Sequence, residues 1–528
     1  MTLKHCLTIA VMCAATARAA DAPSTTAEIA ALKQELQEQR QQIAELRAAI
    51  AEQHRILETI STPRATSPTI EPIRFTSPVP SAAPQPSTAS EKASPLQVQI
   101  GSAYITPVGF MDFTSVTRSR NTGAGIGSSF GGVPFKNTVQ GNLPETRFSA
   151  QNSRIGFRAD AIVKGAHVIG YLESDFLGFV PANAAVTTNG VSNRMRLYWA
   201  DVRMGKVEFL AGQSWTMLTP NRKGISAIPS DLFYSQDVDV NYQAGLTWSR
   251  DPGFRILYHP TETATLGLSF ENPEQYIGGS SGASLVTLPS ALSTQYALQL
   301  NNGNTTLSAP ALHPDIIAKI AFDPKLPSGR ALHFEIAGVE RTFHVYNQTL
   351  DRHFTTAGGA GSINVNFEIV KNLRLLTNNY YGSGGGRYIF GQAPDLIVRS
   401  DGSLSPIHSG STVSGFEWQR ANTLLYSYYG GIYIRRNTTI DPATGRPVGY
   451  GYTGSQSAQN RTIQEATFGI TQTFWRDARF GALQLMSQYS FLQRNPWFVA
   501  AGTPSEAHTH MFFLNLRYTL PGRPPDLK

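Results

Sequence analysis

The chain has 528 residues and a formal net charge of +7, from 44 Lys and Arg against 37 Asp and Glu. A positive balance raises the question of nucleic-acid binding, but these cations are spread along the chain rather than clustered, which argues against that class. Both cysteines, Cys6 and Cys13, lie near the N-terminus. If that segment is removed, the protein has no disulfide, no thiolate metal site and no cysteine nucleophile.

Residues 1–19 are typical of an export signal. Lys4 and His5 precede an apolar run from Cys6 to Ala15, and Ala17-Arg18-Ala19 forms an A-x-A cleavage site, so we expect the mature chain to begin at Ala20. Because the signal carries two cations and no acid, cleavage lowers the net charge from +7 to +5. No later apolar run has the length of a transmembrane helix, so any membrane insertion would require a β-barrel.

A heptad pattern covers residues 26–60 and predicts a coiled coil within a segment 20–60. Eight of its ten seam positions are apolar, and the other two are Gln39 and Gln53. Isoleucine at most a positions favours two strands, whereas glutamine at d is compatible with three; a single surface helix is the alternative. The apolar seam residues are Ile29, Leu32, Leu36, Ile43, Leu46, Ile50, Leu57 and Ile60.

Residues 61–97 are rich in Pro, Ser, Thr and Ala and contain almost no aromatic residue. Such a composition cannot bury a core and predicts an extended tether. Since the tether and the coiled coil both precede the first predicted strand, we expect them to lie in the periplasm.

From about residue 98 to 520 the chain is a series of short amphipathic strands. Leu514, Leu516 and Tyr518, for example, alternate with Asn515 and Arg517. A period of two places one face in an apolar medium and the other in a polar one. Very short and long connections alternate along the series, which is typical of an outer-membrane barrel. We therefore predict an all-β transmembrane barrel of antiparallel strands, followed by a tail at 521–528.

We assign sixteen strands, and the count depends on the sixth. The stretch from Arg250 to Gly253 contains Asp-Pro-Gly, which is good turn chemistry. A turn there would give seventeen strands, whereas an interruption within one strand gives sixteen, and bacterial single-chain barrels have even numbers. The predicted strands are 104–117, 147–161, 166–177, 194–204, 206–215, 241–258, 263–271, 313–322, 330–344, 362–370, 373–381, 412–419, 423–435, 461–474, 481–493 and 508–520.

Aromatic residues near strand ends support a membrane setting, because Tyr and Trp favour the membrane–water boundary. The alternative, a large soluble β-sandwich or propeller, would need a contiguous core, and the sequence has no repeat of blade length. The aromatic residues assigned to this boundary are Trp199, Tyr258, Tyr380, Tyr381, Tyr428, Tyr429, Tyr489 and Tyr518.

Residues 152–215 resemble the DcaP-like trimeric outer-membrane porins. The resemblance rests on the motifs at 152–157 (NSRIGF), 171–176 (YLESDF), 194–200 (RMRLYWA) and 211–215 (AGQSW), in this order and spacing. The preceding heptads and Pro-rich tether match the layout of the family. The resemblance implies a homotrimer of sixteen-stranded barrels with an N-terminal periplasmic coiled coil, embedded in outer-membrane lipid and passing small hydrophilic, often anionic, solutes.

In such a channel, charged residues on the lumen face are the candidate functional groups. Strand alternation predicts that arginines of two strands and acids of a third face the lumen together, because Met195, Leu197 and Trp199 are expected to face outward. Guanidinium groups are permanently charged and bind carboxylate or phosphate well. Alternatively, these charges simply pair and fill the wall. The pore-lining candidates are Arg154, Arg158, Glu173, Asp175, Arg194 and Arg196.

The long connection 216–240 follows the fifth strand, and in general porins this loop folds inward and narrows the channel. We predict the same here, with an exposed surface loop as the alternative. Its charged candidates are Arg222, Lys223, Asp231, Asp237 and Asp239.

The sequence predicts no cofactor and no bound metal. His508 and His510 lie on one face of the last strand, but no third ligand is evident. No Walker A motif is present, and no G-x-S-x-G motif stands at a strand-helix elbow. A diffusion porin is therefore the favoured function, with an outer-membrane barrel enzyme and a structural envelope tether as alternatives.

Overall fold

The computed structural model describes residues 95–178, 192–228, 233, 238–279, 284–302 and 310–521. These residues belong to one compact unit, Ser90–Lys528. The predicted signal peptide, the coiled-coil seam and most of the tether and the C-terminal tail lie outside the described residues.

Sixteen antiparallel strands form a closed barrel, which confirms the predicted barrel and its strand number. The second strand consists of two segments that both pair with the first. The strands are β1 (Ala103–Arg118), β2 (Glu145–Ser149 and Arg154–Val163), β3 (Ala166–Gly178), β4 (Ser192–Met204), β5 (Val207–Trp215), β6 (Arg250–Thr261), β7 (Ala264–Glu271), β8 (Asp315–Phe322), β9 (Leu332–Asn347), β10 (Arg352–Val370), β11 (Leu373–Ser383), β12 (His408–Arg420), β13 (Thr423–Ile434), β14 (Asn460–Asp477), β15 (Gly481–Pro496) and β16 (Ala507–Thr519).

The barrel closes where β1 pairs with β16, from Phe110 opposite Thr519 to Arg118 opposite Met511. Beyond the Phe110 end of this ladder, the short strand Val98–Ile100 pairs with the same edge of β1. Each barrel strand therefore has hydrogen-bonded neighbours on both sides, which is the condition for β-structure in lipid.

Side-chain burial follows the predicted period of two. On β16, Phe512, Leu514 and Leu516 are exposed on the outer face, whereas Asn515 and Arg517 are buried on the inner face. The outer surface is thus apolar and the inner wall is polar, the reverse of a soluble sheet protein and the arrangement of a membrane barrel.

The core lies inside the barrel, where long connections fold against the upper inner wall. Phe130 from the first connection, and Tyr388 and Ile397 from the connection between β11 and β12, belong to the same buried cluster as the wall residues Phe343 and Phe513. Two small hairpins and a short helix stabilise these connections; they are Leu396–Val398 with Leu404–Pro406, Asn437–Ile440 with Pro447–Tyr450, and Ser293–Ala297. Among the described helices, none is both long and apolar enough to cross a membrane.

The sixth strand differs from its prediction of 241–258. It begins at Arg250 and passes through Asp251-Pro252-Gly253, while residues 241–249 belong to the preceding connection. Pro252 lacks an N–H donor, and it is tolerated because pairing with β7 begins only at Gly253. Asp-Pro-Gly is therefore part of a regular strand end. The count stays at sixteen because these residues begin the sixth strand, and they form neither a turn nor an interruption within it.

The predicted long connection between 344 and 362 is wrong. β9 and β10 form one continuous hairpin of sixteen residue pairs, and residues 348–351 are the whole connection. The glycines at 358, 359 and 361, which fall between the predicted strands 330–344 and 362–370, lie within the ladder. Glycine is permissive rather than loop-specific, so composition alone misplaced this segment. The alternation of short and long connections has its exception here.

Of the eight aromatic residues assigned to the membrane boundary, Tyr518 is half-buried on the outer face of β16, and the other seven separate into two groups. Tyr258, Tyr381, Tyr429 and Tyr489 are exposed on the outer face, as predicted. The prediction is wrong for three others, which are buried among inward-facing residues: Trp199, Tyr380 and Tyr428.

We predict that Leu514→Arg lowers the free energy of unfolding by about 2–4 kcal/mol, because Leu514 is near the middle of an outward apolar face. His510→Arg is the matched control on the same face of the same strand, nearer the rim, where the expected cost is about 0–1 kcal/mol. Urea titration of barrels folded into vesicles measures both. Equal costs for the two variants would contradict the assignment of the apolar band.

Candidate functional site

Three arginines and two acids form one ion-pair cluster on the inner wall of β2, β3 and β4, which we call the wall cluster. Arg196 lies at its centre, with Nε 2.7 Å from Glu173 Oε1 and Nη1 2.8 Å from Asp175 Oδ2. Arg194 makes two bonds to the carboxylate of Asp175, at 3.0 and 2.8 Å. Arg154 is 3.9 Å from Glu173. The cluster has one more cation than anions.

A β-bulge between β3 and β4 brings this cluster together. Glu173 pairs with Leu197 and Ser174 pairs with Met195, so Arg196 is the extra residue. A bulge re-aims side chains and reverses the alternation beyond it. Met195 faces outward as predicted, but Leu197 and Trp199 are buried, which corrects the sequence assignment for both. The ring of Trp199 stacks on Tyr171 at 5.2 Å.

Arg158 is not part of the wall cluster. Its guanidinium pairs with Asp160 two residues along the same strand, at 2.6 and 2.7 Å, and His167 contacts the same carboxylate at 3.1 Å. A neighbouring pair at this end of the barrel joins Arg203 to Glu208 at 2.6 Å. The sequence placed Arg158 on the correct face but in the wrong group.

Exposure decides which members of the wall cluster a solute can reach. The side chain of Arg194 is 39% exposed and that of Arg154 is 19% exposed, whereas Arg196 is 3% exposed. Arg196 is also bonded through Nη2 to the hydroxyl of Tyr242, at 3.1 Å. Arg196 is thus a buried residue that links Glu173, Asp175 and Tyr242. The accessible positive charge is on Arg194 and Arg154.

The connection 216–249, which we call the third loop, lies against the inner wall over its described residues. Wall carboxylates on three strands accept hydrogen bonds from its backbone: Glu271 from Met217 at 2.8 Å, Glu335 from Asn221 at 3.1 Å and Glu465 from Ala244 at 2.8 Å, on β7, β9 and β14. In the turn after β8, Asp323 accepts a further bond from Gly224 at 2.9 Å.

One ion pair joins the third loop to the far wall. Arg222 binds the carboxylate of Glu417 on β12 through both terminal nitrogens, at 2.8 and 2.6 Å. Tyr428 donates a further bond to Glu417 at 2.7 Å. Since the loop leaves β5 and returns to β6, a bond to β12 requires it to reach across the barrel interior.

The remaining loop candidates have different positions. Lys223 is exposed. Asp239 is buried, and its carboxylate accepts bonds from the backbone of Ser128 and Asn241 and from the Ser128 hydroxyl, so it ties the third loop to the first. Asp231 and Asp237 lie outside the described residues.

Arg250 is a candidate that the sequence analysis missed, because it was treated only as the edge of an interruption. Its guanidinium carbon lies 5.5 Å from the ring centres of both Trp215 and Trp248. Its Nη1 is buried and has no hydrogen-bond partner among the described residues. Cation–π contacts thus hold a cation close to the wall cluster. The sequence signal was the pair of tryptophans at the two ends of the third loop, Trp215 just before it and Trp248 near its end.

The described residues contain no group of three or more His, Cys, Asp or Glu placed to hold a metal ion. His508 and His510 both lie on β16, and their ring centres are 5.9 Å apart.

The fold is that of a known outer-membrane channel. The chain aligns with the outer membrane channel DcaP of Acinetobacter baumannii at a TM-score of 0.56 and 16% identity, over 80% of this chain and 98% of that one. The anion-selective porin of Comamonas acidovorans (TM-score 0.44, 11% identity, 79% and 99% covered) and Pseudomonas putida OprB (0.44, 10%, 78% and 94%) are also similar, but their scores are too low to add to the assignment. No family model and no curated protein matches the sequence.

We predict that Arg222→Ala and Glu417→Ala each destabilise the folded barrel and that the double variant costs less than the sum. For a partly buried bidentate pair the coupling should be about 0.5–3 kcal/mol. Urea unfolding of the four proteins in the cycle measures it. Additive costs would mean that the loop is held without this ion pair.

A second prediction concerns pH. Burial raises the pKa of Asp239, so the folded chain holds this proton at pH values where the unfolded chain has lost it. The contribution of Asp239 to stability is therefore complete below the unfolded pKa of about 3.9 and is lost as pH rises through the higher folded pKa.

Asp239→Asn should accordingly unfold with a shallower loss of stability above about pH 4 than the parent. Urea titrations of both proteins at stepped pH values measure the difference. Parallel curves would show that this carboxyl group titrates normally.

Proposed function

We propose that this chain, which has the fold of the outer-membrane channel DcaP, is an outer-membrane porin for passive diffusion of small hydrophilic solutes. The observation that carries the proposal is the barrel itself: sixteen closed strands with an apolar outer face and a charged inner wall. Barrels of this size are wide enough for an aqueous channel. The long connections then lie on the outer side and the short turns on the periplasmic side.

We further propose that the channel prefers anions. Glu173 and Asp175 are consumed by ion pairs within the wall cluster, while Arg194 and Arg154 retain exposed surface. Carboxylates that hold arginines extended temper their field without cancelling it, since the cluster has an excess cation. A solute carboxylate or phosphate would meet the guanidinium edge, which binds such groups in two-pronged geometry.

The third loop is proposed as the constriction. Its backbone is fastened to wall carboxylates on several strands, and Arg222 reaches Glu417 on β12. A loop held at many points cannot swing out freely, so the space beside it has a defined width. In this proposal the wall cluster and Arg250 line one side of the passage that the loop leaves open.

We also propose a homotrimer, with the predicted coiled coil in the periplasm. The DcaP-like porins that the sequence resembles are trimeric. One feature of the outer face suits a protein partner: Ala159, Gly170, Ala200 and Ala211 are successive cross-strand partners on β2 to β5. They line a shallow apolar depression of about 670 Å³, bordered by larger side chains. Small residues let neighbouring backbones approach closely.

Planar-bilayer recording tests the function and its selectivity. The parent should form a water-filled channel whose reversal potential in a salt gradient indicates anion preference. Arg194→Gln with Arg154→Gln should lower the anion-to-cation permeability ratio by about twofold to fivefold, since one charge in water changes the energy of an ion 4 Å away by about 1 kcal/mol before screening.

The matched control is Lys325→Gln, which removes a charge from an exposed turn outside the barrel interior. It should leave the ratio unchanged. Absence of conductance would contradict the porin function. Conductance with cation preference, or equal shifts in both variants, would leave a porin but contradict the role of the wall cluster.

A further inference from the structure

Three exposed arginines lie at the long-connection rim of β13 and β14. Arg435 and Arg436 follow the end of β13, and Arg461 is near the beginning of β14. We call them the rim cluster. They take no part in the inner wall or in the third loop described above.

A single tryptophan organises the rim cluster. The guanidinium carbons of Arg436 and Arg461 each lie 5.9 Å from the ring centre of Trp497, so they are at most twice that distance apart. The indole is fixed in place, because its Nε1 donates to the carbonyl of Ile434 at 2.9 Å. Gly451, with a φ of +77°, packs so closely that an added Cβ would lie 2.7 Å from the indole.

The rim cluster differs from the interior arginines in its charge partners. Among the described residues, none of the three guanidinium groups forms an ion pair within 4.0 Å. An acid on a nearby connection, Glu506, is engaged by Gln493, which donates to it at 2.8 Å. This contrasts with the interior, where Arg194, Arg196 and Arg222 are all paired with carboxylates.

The rim cluster lies directly above the outer aromatic girdle. Tyr433, exposed on the outer face of β13, contacts Trp497 with ring centres 6.3 Å apart. The outward Tyr429 lies below it, opposite Ala466, and the apolar band follows at Ile470 and at Phe468, whose cross-strand partner is the outward Tyr489. Outward tyrosine and tryptophan mark the head-group level of a membrane barrel.

We propose that the rim cluster binds the phosphate of a lipid head group in the outer leaflet. The inference rests on the outer-membrane placement in the proposed function. Arginine matches the geometry of phosphate, and unpaired basic groups beside a membrane attract anionic head groups. Trp497 keeps the two flanking guanidinium groups close together and offers an amphipathic surface to the sugar or glycerol portion. The occupant is a membrane lipid rather than a soluble anion, because Trp497, which contacts two of the guanidinium groups, also contacts the outward Tyr433 of the girdle.

The test uses the full-length purified protein in detergent, with bisphosphorylated lipid A as the probe. Native mass spectrometry counts the lipid molecules retained per barrel for the parent, for Arg436→Gln/Arg461→Gln, and for Arg476→Gln/Arg479→Gln. The last pair is the matched control: two exposed arginines on the turn side of β14, one of them beside Phe480 at 5.2 Å. Retention should fall at least fivefold in the rim variant and stay at the parental level in the control.

Competition separates the possible sources of phosphate. Dephosphorylated lipid A should not be retained, and inorganic pyrophosphate at the same concentration should not displace the bisphosphorylated lipid. Equal retention in all three proteins, equal loss in both variants, or full displacement by pyrophosphate would each overturn the proposal. Bilayer conductance of the same preparations reports folding and channel function separately: a conducting rim variant with normal lipid retention contradicts only the lipid site, and a non-conducting parent contradicts the porin function.

Discussion

Everything in this structure depends on the closure of the sheet between β1 and β16. A strand in lipid has no water to satisfy its backbone, so each must have two neighbours. Closure then forces the period-two sequence to separate its faces, with apolar side chains outward and polar ones inward. A charged interior is a consequence of this arrangement, and that interior is where the wall cluster, the third loop and Arg250 lie.

The interior charges do two kinds of work. Most are paired, because an unpaired charge in a narrow, loop-filled barrel is costly. The carboxylates of Glu271, Glu335 and Glu417 bind residues of the third loop. The carboxylate of Asp175 is paired with Arg194 and Arg196. The alternative that these charges simply pair and fill the wall therefore holds for the buried charged residues. The proposed role toward solutes rests on the residues with exposed surface, Arg194 and Arg154.

Much of the fold could be predicted because the signal is local. Alternation on β16 or β7 is legible in eight to thirteen residues, and it identifies the lumen face of Arg154, Glu173 and Asp175 without any partner strand. The errors arose where one local pattern has two structural outcomes. Glycines at 358–361 suit a loop or a ladder, and Asp-Pro-Gly at 251–253 suits a turn or a strand end; only the pairing with neighbouring strands decides between them.

The sequence by itself determined the barrel and the residue types on its inner face, since these follow from the hydrophobic period. The strand number followed once the even numbers of bacterial barrels excluded a turn at residues 250–253. Only the tertiary structure decided which charges meet. The bulge at Arg196 reversed the facing of Leu197 and Trp199, and it depends on the register between two strands. Arg222 and Glu417 are 195 residues apart, and Arg250 sits between two tryptophans on either side of a long loop. Such contacts depend on the path of a loop through space, which no local periodicity encodes.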